Sequence, residues 1–341
     1  MAKLSCLHIN PLILSWIDCF LRERSQYTVI ENHRSQNTTV ISGVPQGSVL
    51  GPLLFLIFIN DLPNAISSCI RLFADDCVLY RRISTPDDHT LLQRDLNLIE
   101  TWCTSWLMQL NISKCKFMHV SRKRNNLSYP YSLNSTPLSE TESYRYLGII
   151  VNNKLTWSEH IAKLCTDASK LLGFIRRSLA FSPRSIRQLA YVTFIRSKLE
   201  YASAIWNPHQ KYLIDQLEAI QNRAARFITS QYDRRHSITL IKASLDLQPL
   251  ALRRKISQLC LFHKLYHTFP QLRNSVLHLP LRTSRRLFNS LSLQRIHGST
   301  NSFNKSFLPS SITLWNDLPD SIVTEVEPNK FRHLLTAHFK G

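Results

Sequence analysis

The spacing of apolar and polar positions divides the chain into a half of short mixed segments and a half of helices. Leu14, Ile17 and Leu21 recur at helical spacing, with Asp18 near the edge of their stripe. Gln26 to Ile30 and Thr38 to Ile41 read as paired strands. The run Leu53-Leu54-Phe55-Leu56-Ile57-Phe58-Ile59 predicts a buried helix stopped by Pro63. From Val49 to Ile59 there are eleven residues, well short of the ~20 that a membrane span needs. Ile70-Arg71-Leu72-Phe73 and Cys77-Val78-Leu79-Tyr80 predict two short buried strands, so the residues between them form a hairpin tip. Thr85 and Pro86 open the next helix as cap and first-turn residue. Along it Leu92, Leu96, Ile99, Cys103 and Trp106 follow at intervals of four, three, four and three. That stripe makes the tryptophans core residues.

Beyond Asn152 the period is helical. His160 to Leu179, Pro183 to Tyr201 and Tyr212 to Ile228 each carry it. In the last, Leu213, Leu217, Ile220, Ala224 and Phe227 form one face, flanked by Lys211, Arg223 and Arg226. Residues 270–341 are rich in Ser, Asn and short apolar runs and form a module of less defined role. With 341 residues and 44% apolar content, the chain can bury cores for two domains.

Two stretches carry candidate chemistry. Phe73-Ala74-Asp75-Asp76 sets two adjacent carboxylates at the hairpin tip. Such a pair repels itself and is relieved by a cation; a hard, oxygen-seeking Mg²⁺ suits it. An isolated Asp-Asp is otherwise an ordinary turn. Upstream, Ser42-Gly43-Val44-Pro45-Gln46-Gly47-Ser48-Val49-Leu50-Gly51-Pro52 holds three of the seven glycines, and Gly47 lies 28 residues before Asp75. Glycine lets backbone approach a ligand, and Pro45 stiffens the approach to the turn.

The two stretches in this order resemble the reverse transcriptase of non-LTR (LINE-type, jockey-like) retrotransposons. The resemblance continues through Leu96, Trp102, Trp106 and Asn111-Ile112-Ser113-Lys114-Cys115 to Tyr144-Arg145-Tyr146-Leu147-Gly148. It reaches Phe307-Leu308-Pro309 and Leu314-Trp315-Asn316-Asp317-Leu318-Pro319 near the end. It implies an α+β right-hand polymerase fragment. A partial fingers and palm region would span 1–152, a helical thumb-like region 153–269 and a C-terminal helical extension 270–341. It further implies an RNA-directed DNA polymerase that uses Mg²⁺, or Mn²⁺, with an RNA template, a DNA primer and dNTPs. Asp75 and Asp76 then correspond to metal-binding catalytic carboxylates, and Lys114 to a basic residue that helps pyrophosphate leave. Pro45, Gln46 and Gly47 would line the pocket for template base and incoming nucleotide, and Tyr146, Leu147 and Gly148 would grip the primer.

Phosphoryl transfer of this kind needs carboxylates from two strands at one point. In the family an Asp-bearing strand precedes the glycine-rich turn by several tens of residues, whereas 42 residues precede Gly43 here. The first acidic residue, Asp18, reads as a helix-surface group. The expectation is therefore a fragment that begins within the palm and does not polymerise by itself. The alternative is a non-catalytic nucleic-acid-binding remnant or a domesticated RNA-binding protein.

Charge adds a direction. The formal net charge is +19. Residues 1–150 hold 14 Lys and Arg against 12 Asp and Glu, while residues 151–341 hold 28 against 11. The second half is thus the expected phosphate-binding surface. The basic turn Ser121-Arg122-Lys123-Arg124-Asn125-Asn126 is either a phosphate contact or a solvated loop. The eight cysteines form no Cys-x-x-Cys pair and no zinc spacing with histidine. His263 and His267 have Lys264 where a metalloprotease motif needs Glu. Reduced thiols and the lack of a signal-like N-terminus lead to an expected location in cytoplasm and nucleus, without a membrane.

Overall fold

The computed structural model describes residues 1–121, 129–233, 235–280 and 289–340. The basic turn after Ser121 lies outside them. The described chain is α+β and separates into two compact units. The first holds Met1–His119 with the described residues up to Thr141, and the second runs from Glu142 to the end with Val120 and Ser121.

In the first unit, helix Pro11–Leu21 starts at Asn10, whose side chain accepts from the Leu12 amide at 2.9 Å. Ile17 is buried, and Asp18 pairs with Arg22 at 2.6 Å one turn on, so Asp18 is a helix-surface residue. The two strands expected next pair differently from the sequence pattern. Arg24–Gln26 pairs with Thr38–Val40, and Val29–Ile30 folds back on His33–Arg34 instead. Glu31 and Asn32, both at positive φ (47° and 68°), close that inner hairpin.

Helix Leu50–Ile59 buries only Gly51, Leu54 and Ile59 and leaves Leu53 and Leu56 about half exposed, so it is not the fully buried helix its composition suggests. Nor does Pro63 stop it. The helix ends at Asn60, and Pro63 sits in the first turn of the short 3₁₀ segment Leu62–Ala65 that follows. Proline tolerates that place because it lacks only an amide that the first turn leaves unpaired. Helix Pro86–Ser105 begins with a capping box, in which the Asp88 carboxylate accepts from the Ser84 and Thr85 amides at 2.8 and 2.9 Å. These bonds hold the Asp88 carboxyl down at about 2. Ile99 and Cys103 are buried on its inner face. Trp102 and Trp106 pack on Phe58, and the Lys3 ammonium lies over both tryptophan rings, 4.6 and 3.8 Å from their centroids.

The second unit contains most of the core. Helices Ser158–Ser178 and Lys211–Thr229 pack with the segment Arg184–Glu200 around Tyr191, Ile195, Leu199, Trp206, Leu217 and Ala224. The helix expected over Pro183 to Tyr201 is interrupted by a π-helical stretch, Tyr191–Arg196. Helix Leu250–Thr268 joins two cores: Leu250 belongs to the first, while Ile256, Leu259 and Phe262 belong to a second around Trp315 and Phe331. The motif Leu314–Pro319 is structural there. Trp315 is buried with its indole donating to the Leu291 carbonyl at 3.0 Å, and the Asn316 side chain bonds both backbone groups of Leu293. His263 stacks on Phe331 at 4.0 Å, and its Nε2 meets the Glu325 carbonyl at 2.7 Å, so this histidine is a packing residue.

Candidate active site

Strands Cys69–Phe73 and Asp76–Tyr80 form the expected hairpin, closed by the Phe73–Asp76 pair, with Ala74 and Asp75 as the two-residue turn. Ala74 has φ +50°, a conformation that costs a residue with Cβ about 1 kcal/mol. Asp75 and Asp76 are both exposed at this tip. The strands are not buried on both faces. Ile70 is buried and Leu72 and Leu79, on the same face, are half-buried, whereas Phe73 and Tyr80 on the other are exposed. A single packed face explains this, because alternate residues of a strand point to opposite sides. Among the described residues, no group of three or more His, Cys, Asp or Glu side chains stands close enough to hold a metal ion.

Two features that the sequence pattern did not reveal position the hairpin. The fully buried Asp95 carboxylate, on helix Pro86–Ser105, accepts from the Ser67 amide and hydroxyl at 3.2 and 2.9 Å and from the Ser68 amide at 2.7 Å. It thereby pins the residues that lead into the first strand. Arg81, just past the second strand, donates to the Ser67 and Ser68 hydroxyls at 3.2 and 3.3 Å. Burial raises the Asp95 pKa, but the hydrogen bonds from Ser68 and Ser67 outweigh it and the net direction is down. Asp95→Ala is expected to destabilise the first unit by about 3 kcal/mol at neutral pH, because three donors lose a charged acceptor. A carboxyl lowered on folding stabilises above its unfolded value near ~3.9, and that stability is lost as pH falls through the folded value. The gap between the two proteins should therefore narrow below about pH 4. Hydrogen exchange at the hairpin amides measures it, and equal protection at pH 7 would rule out the pinning role.

The glycine-rich turn is built from its own side chains. Ser48 Oγ donates to the Pro45 carbonyl at 2.7 Å and accepts from the Gly51 amide at 3.0 Å, starting helix Leu50–Ile59. A Cβ on Gly51 would stand 2.8 Å from the Pro45 oxygen, so glycine is required there. Gly47 takes φ +78°, with Gln46 and Gly47 exposed and Pro45 half-buried. Arg24 holds the start of the turn by donating to the Ser42 and Gly43 carbonyls at 3.2 and 2.6 Å. Helix and hairpin share one core: Phe55 and Ile59 pack with Ile70, Leu72, Leu79, Ile99 and Cys103. The sequence thus brings the glycine-rich segment and the Asp pair onto one packed body. Lys114 is exposed in the one-turn segment Ile112–Lys114 of the same unit.

Tyr146, Leu147 and Gly148 belong to the second unit. Ser143–Tyr146 pairs with Ile149–Asn152, and Leu147 and Gly148, at φ +46° and +83°, make the tight turn between them. Tyr201 steadies that turn. Its hydroxyl donates to the Leu147 carbonyl at 3.0 Å, and a Cβ on Gly148 would lie 3.2 Å from its ring. His160 fixes the following strand by accepting from the Ile150 amide at 3.3 Å, and burial lowers its pKa.

Residues 1–151 match the family model of reverse transcriptase (RNA-dependent DNA polymerase). The chain is 30% identical over 206 residues to the probable RNA-directed DNA polymerase from transposon X-element of Drosophila melanogaster. Those residues are 57% of this chain and 22% of that protein. It is 27% identical over 234 residues to the RNA-directed DNA polymerase from mobile element jockey of the same species, 64% of this chain and 25% of that protein. Residues 1–151 are thus a reverse transcriptase domain, and the likeness to X-element and jockey supports the non-LTR, LINE-type kind. The reverse transcriptase domain contains the glycine-rich turn, the Asp75–Asp76 hairpin, Lys114 and the Tyr146–Gly148 turn. The similarity to jockey covers more residues than the family model and so extends beyond the domain. The chain spans about a quarter or less of the length of these curated relatives. Among the described residues, no helix is long and apolar enough to cross a membrane.

Proposed function

We propose that this chain is the palm-to-thumb portion of an RNA-directed DNA polymerase that extends a DNA primer on an RNA template. The observation that carries the reading is the exposed Asp75–Asp76 tip on a hairpin that shares its core with the helix fed by the glycine-rich turn. Four carboxylate oxygens offered to solvent suit a hard divalent ion such as Mg²⁺, with Mn²⁺ as a substitute. Asp75 would hold it directly, with Asp76 beside it. Bound there, the ion supplies charge neutralisation for the transferring phosphate. Pro45, Gln46 and Gly47 line the pocket for the template base and the dNTP, where the absence of a Gly47 side chain lets backbone approach. Lys114 steadies the departing pyrophosphate. The Tyr146–Gly148 turn, backed by Tyr201, bears on the primer strand. The basic half of the chain, 28 Lys and Arg against 11 Asp and Glu, neutralises duplex phosphates. Side chains reading an A-form duplex through shape and phosphates give weak sequence preference.

A second reading has its own observation. Asp75 and Asp76 are joined by no third ligand-type side chain among the described residues, and two-metal transfer requires carboxylates from a second strand. A chain of this kind binds template and primer without joining nucleotides. Primer extension by the purified 341-residue protein, with Mg²⁺ or Mn²⁺, dNTPs and an RNA template, separates the two readings. No extension is expected from this chain alone, while template and primer still bind. Robust, Asp75-dependent extension by the 341 residues would overturn that expectation and make Asp18 the first candidate for the further ligand.

A further inference from the structure

A cleft of about 460 Å³ opens in the second unit. Helix Ser158–Ser178 contributes Gly173, Arg176 and Arg177; Arg187 comes from the next helix, and Ser230 and Tyr232 from the loop after Lys211–Thr229. Among the described residues no acidic side chain lines it. Its arginines do two different jobs. Arg187 is structural: it donates to the Phe227 and Ala180 carbonyls at 3.1 and 2.8 Å and to Ser230 Oγ at 2.5 Å, tying down the end of the helix. Arg226 ties the same loop from the other side, through the Gln231 and Asp233 carbonyls at 3.3 and 2.9 Å. The loop between these ties presents the Tyr232 ring, which is 54% exposed. The carboxylate of the neighbouring Asp233 is turned onto Arg235 at 2.7 Å. Arg176 and Arg177, both exposed, line the cleft without an acidic partner among the described residues, and the Arg176 guanidinium lies 5.7 Å from the Tyr232 ring centroid.

An exposed aromatic face beside two guanidinium groups that have no acidic partner among the described residues matches a nucleotide, whose base stacks while its phosphate accepts. A duplex offers phosphates alone to such a cleft, because its base faces are already stacked on each other. Resting on the nucleic-acid reading above, we infer that this cleft binds an unpaired nucleotide of a single strand, separately from the surface that holds duplex. Tyr232 stacks the base, and Arg176 and Arg177 take the adjoining phosphates.

Fluorescence anisotropy with the full chain tests this on three labelled ligands: a short oligouridylate, an RNA–DNA duplex, and an abasic strand of equal charge. Tyr232→Ala should weaken oligouridylate binding about tenfold, while Tyr232→Phe should not. Duplex and abasic affinities should stay within about twofold, since stacking is absent from both. Arg177→Gln should reduce the salt slope for the single strand by about one. Both side chains are exposed, so neither change should unfold the protein. If Tyr232→Ala lowers duplex and single-strand affinity equally, or changes neither while duplex still binds, the cleft is not a single-strand site although the nucleic-acid reading stands. If the unaltered protein binds none of the three ligands at low salt, both fall.

Discussion

Asp75→Asn, placed in a polymerase that carries this segment, is expected to cut primer extension by several orders of magnitude with the fold unchanged. The substitution keeps the size of the side chain and removes the charge that a hard divalent ion requires. Folding should not suffer. Asp75 is exposed at the turn, makes no side-chain hydrogen bond or ion pair among the described residues, and next to Asp76 contributes repulsion. Asp76→Asn should also be severe. Asp76 closes the hairpin through its backbone, which the substitution leaves in place. Single-turnover extension measured beside the thermal midpoint separates lost chemistry from lost structure. Extension at a near wild-type rate by Asp75→Asn would remove the assignment.

The second large effect concerns where nucleic acid is held. A protein comprising residues 142–341, which form a compact unit with their own cores, should bind RNA–DNA duplex with weak sequence preference. Its affinity should fall by about 10²-fold or more between ~50 and ~200 mM salt if several phosphates are neutralised. Residues 1–141, with nearly balanced charge, should bind far more weakly. Filter binding over a salt series decides it. Equal affinity of the two halves, or a salt-independent constant, would leave the charge asymmetry without functional meaning.

Much of this protein was legible in its order of residues. The hairpin around Asp75, the capped helix from Pro86 and the helices of the second half follow from short-range spacing. Local preferences act within a few residues, so a reading of the chain recovers them. The resemblance to non-LTR reverse transcriptases was equally legible, because motifs such as Ser42–Pro52 and Phe73–Asp76 are contiguous. Burial was less so. A run such as Leu53–Ile59 looks core-like at every position, yet a helix hides only the side that another element covers.

What only the tertiary structure decided is how distant residues support the site. Asp95 reaches back to Ser67 and Ser68 across nearly thirty positions, Tyr201 props a turn more than fifty residues before it, and Arg187 and Arg226 converge on the loop that presents Tyr232. Such bonds depend on three-dimensional proximity, which leaves no periodic trace in the chain, and a single aspartate or tyrosine gives no sign of its partner. The sequence by itself determined most of the elements and the resemblance to the family; packing determined strand pairing and which side chains hold the candidate site in shape, because only the folded chain brings those donors to their acceptors.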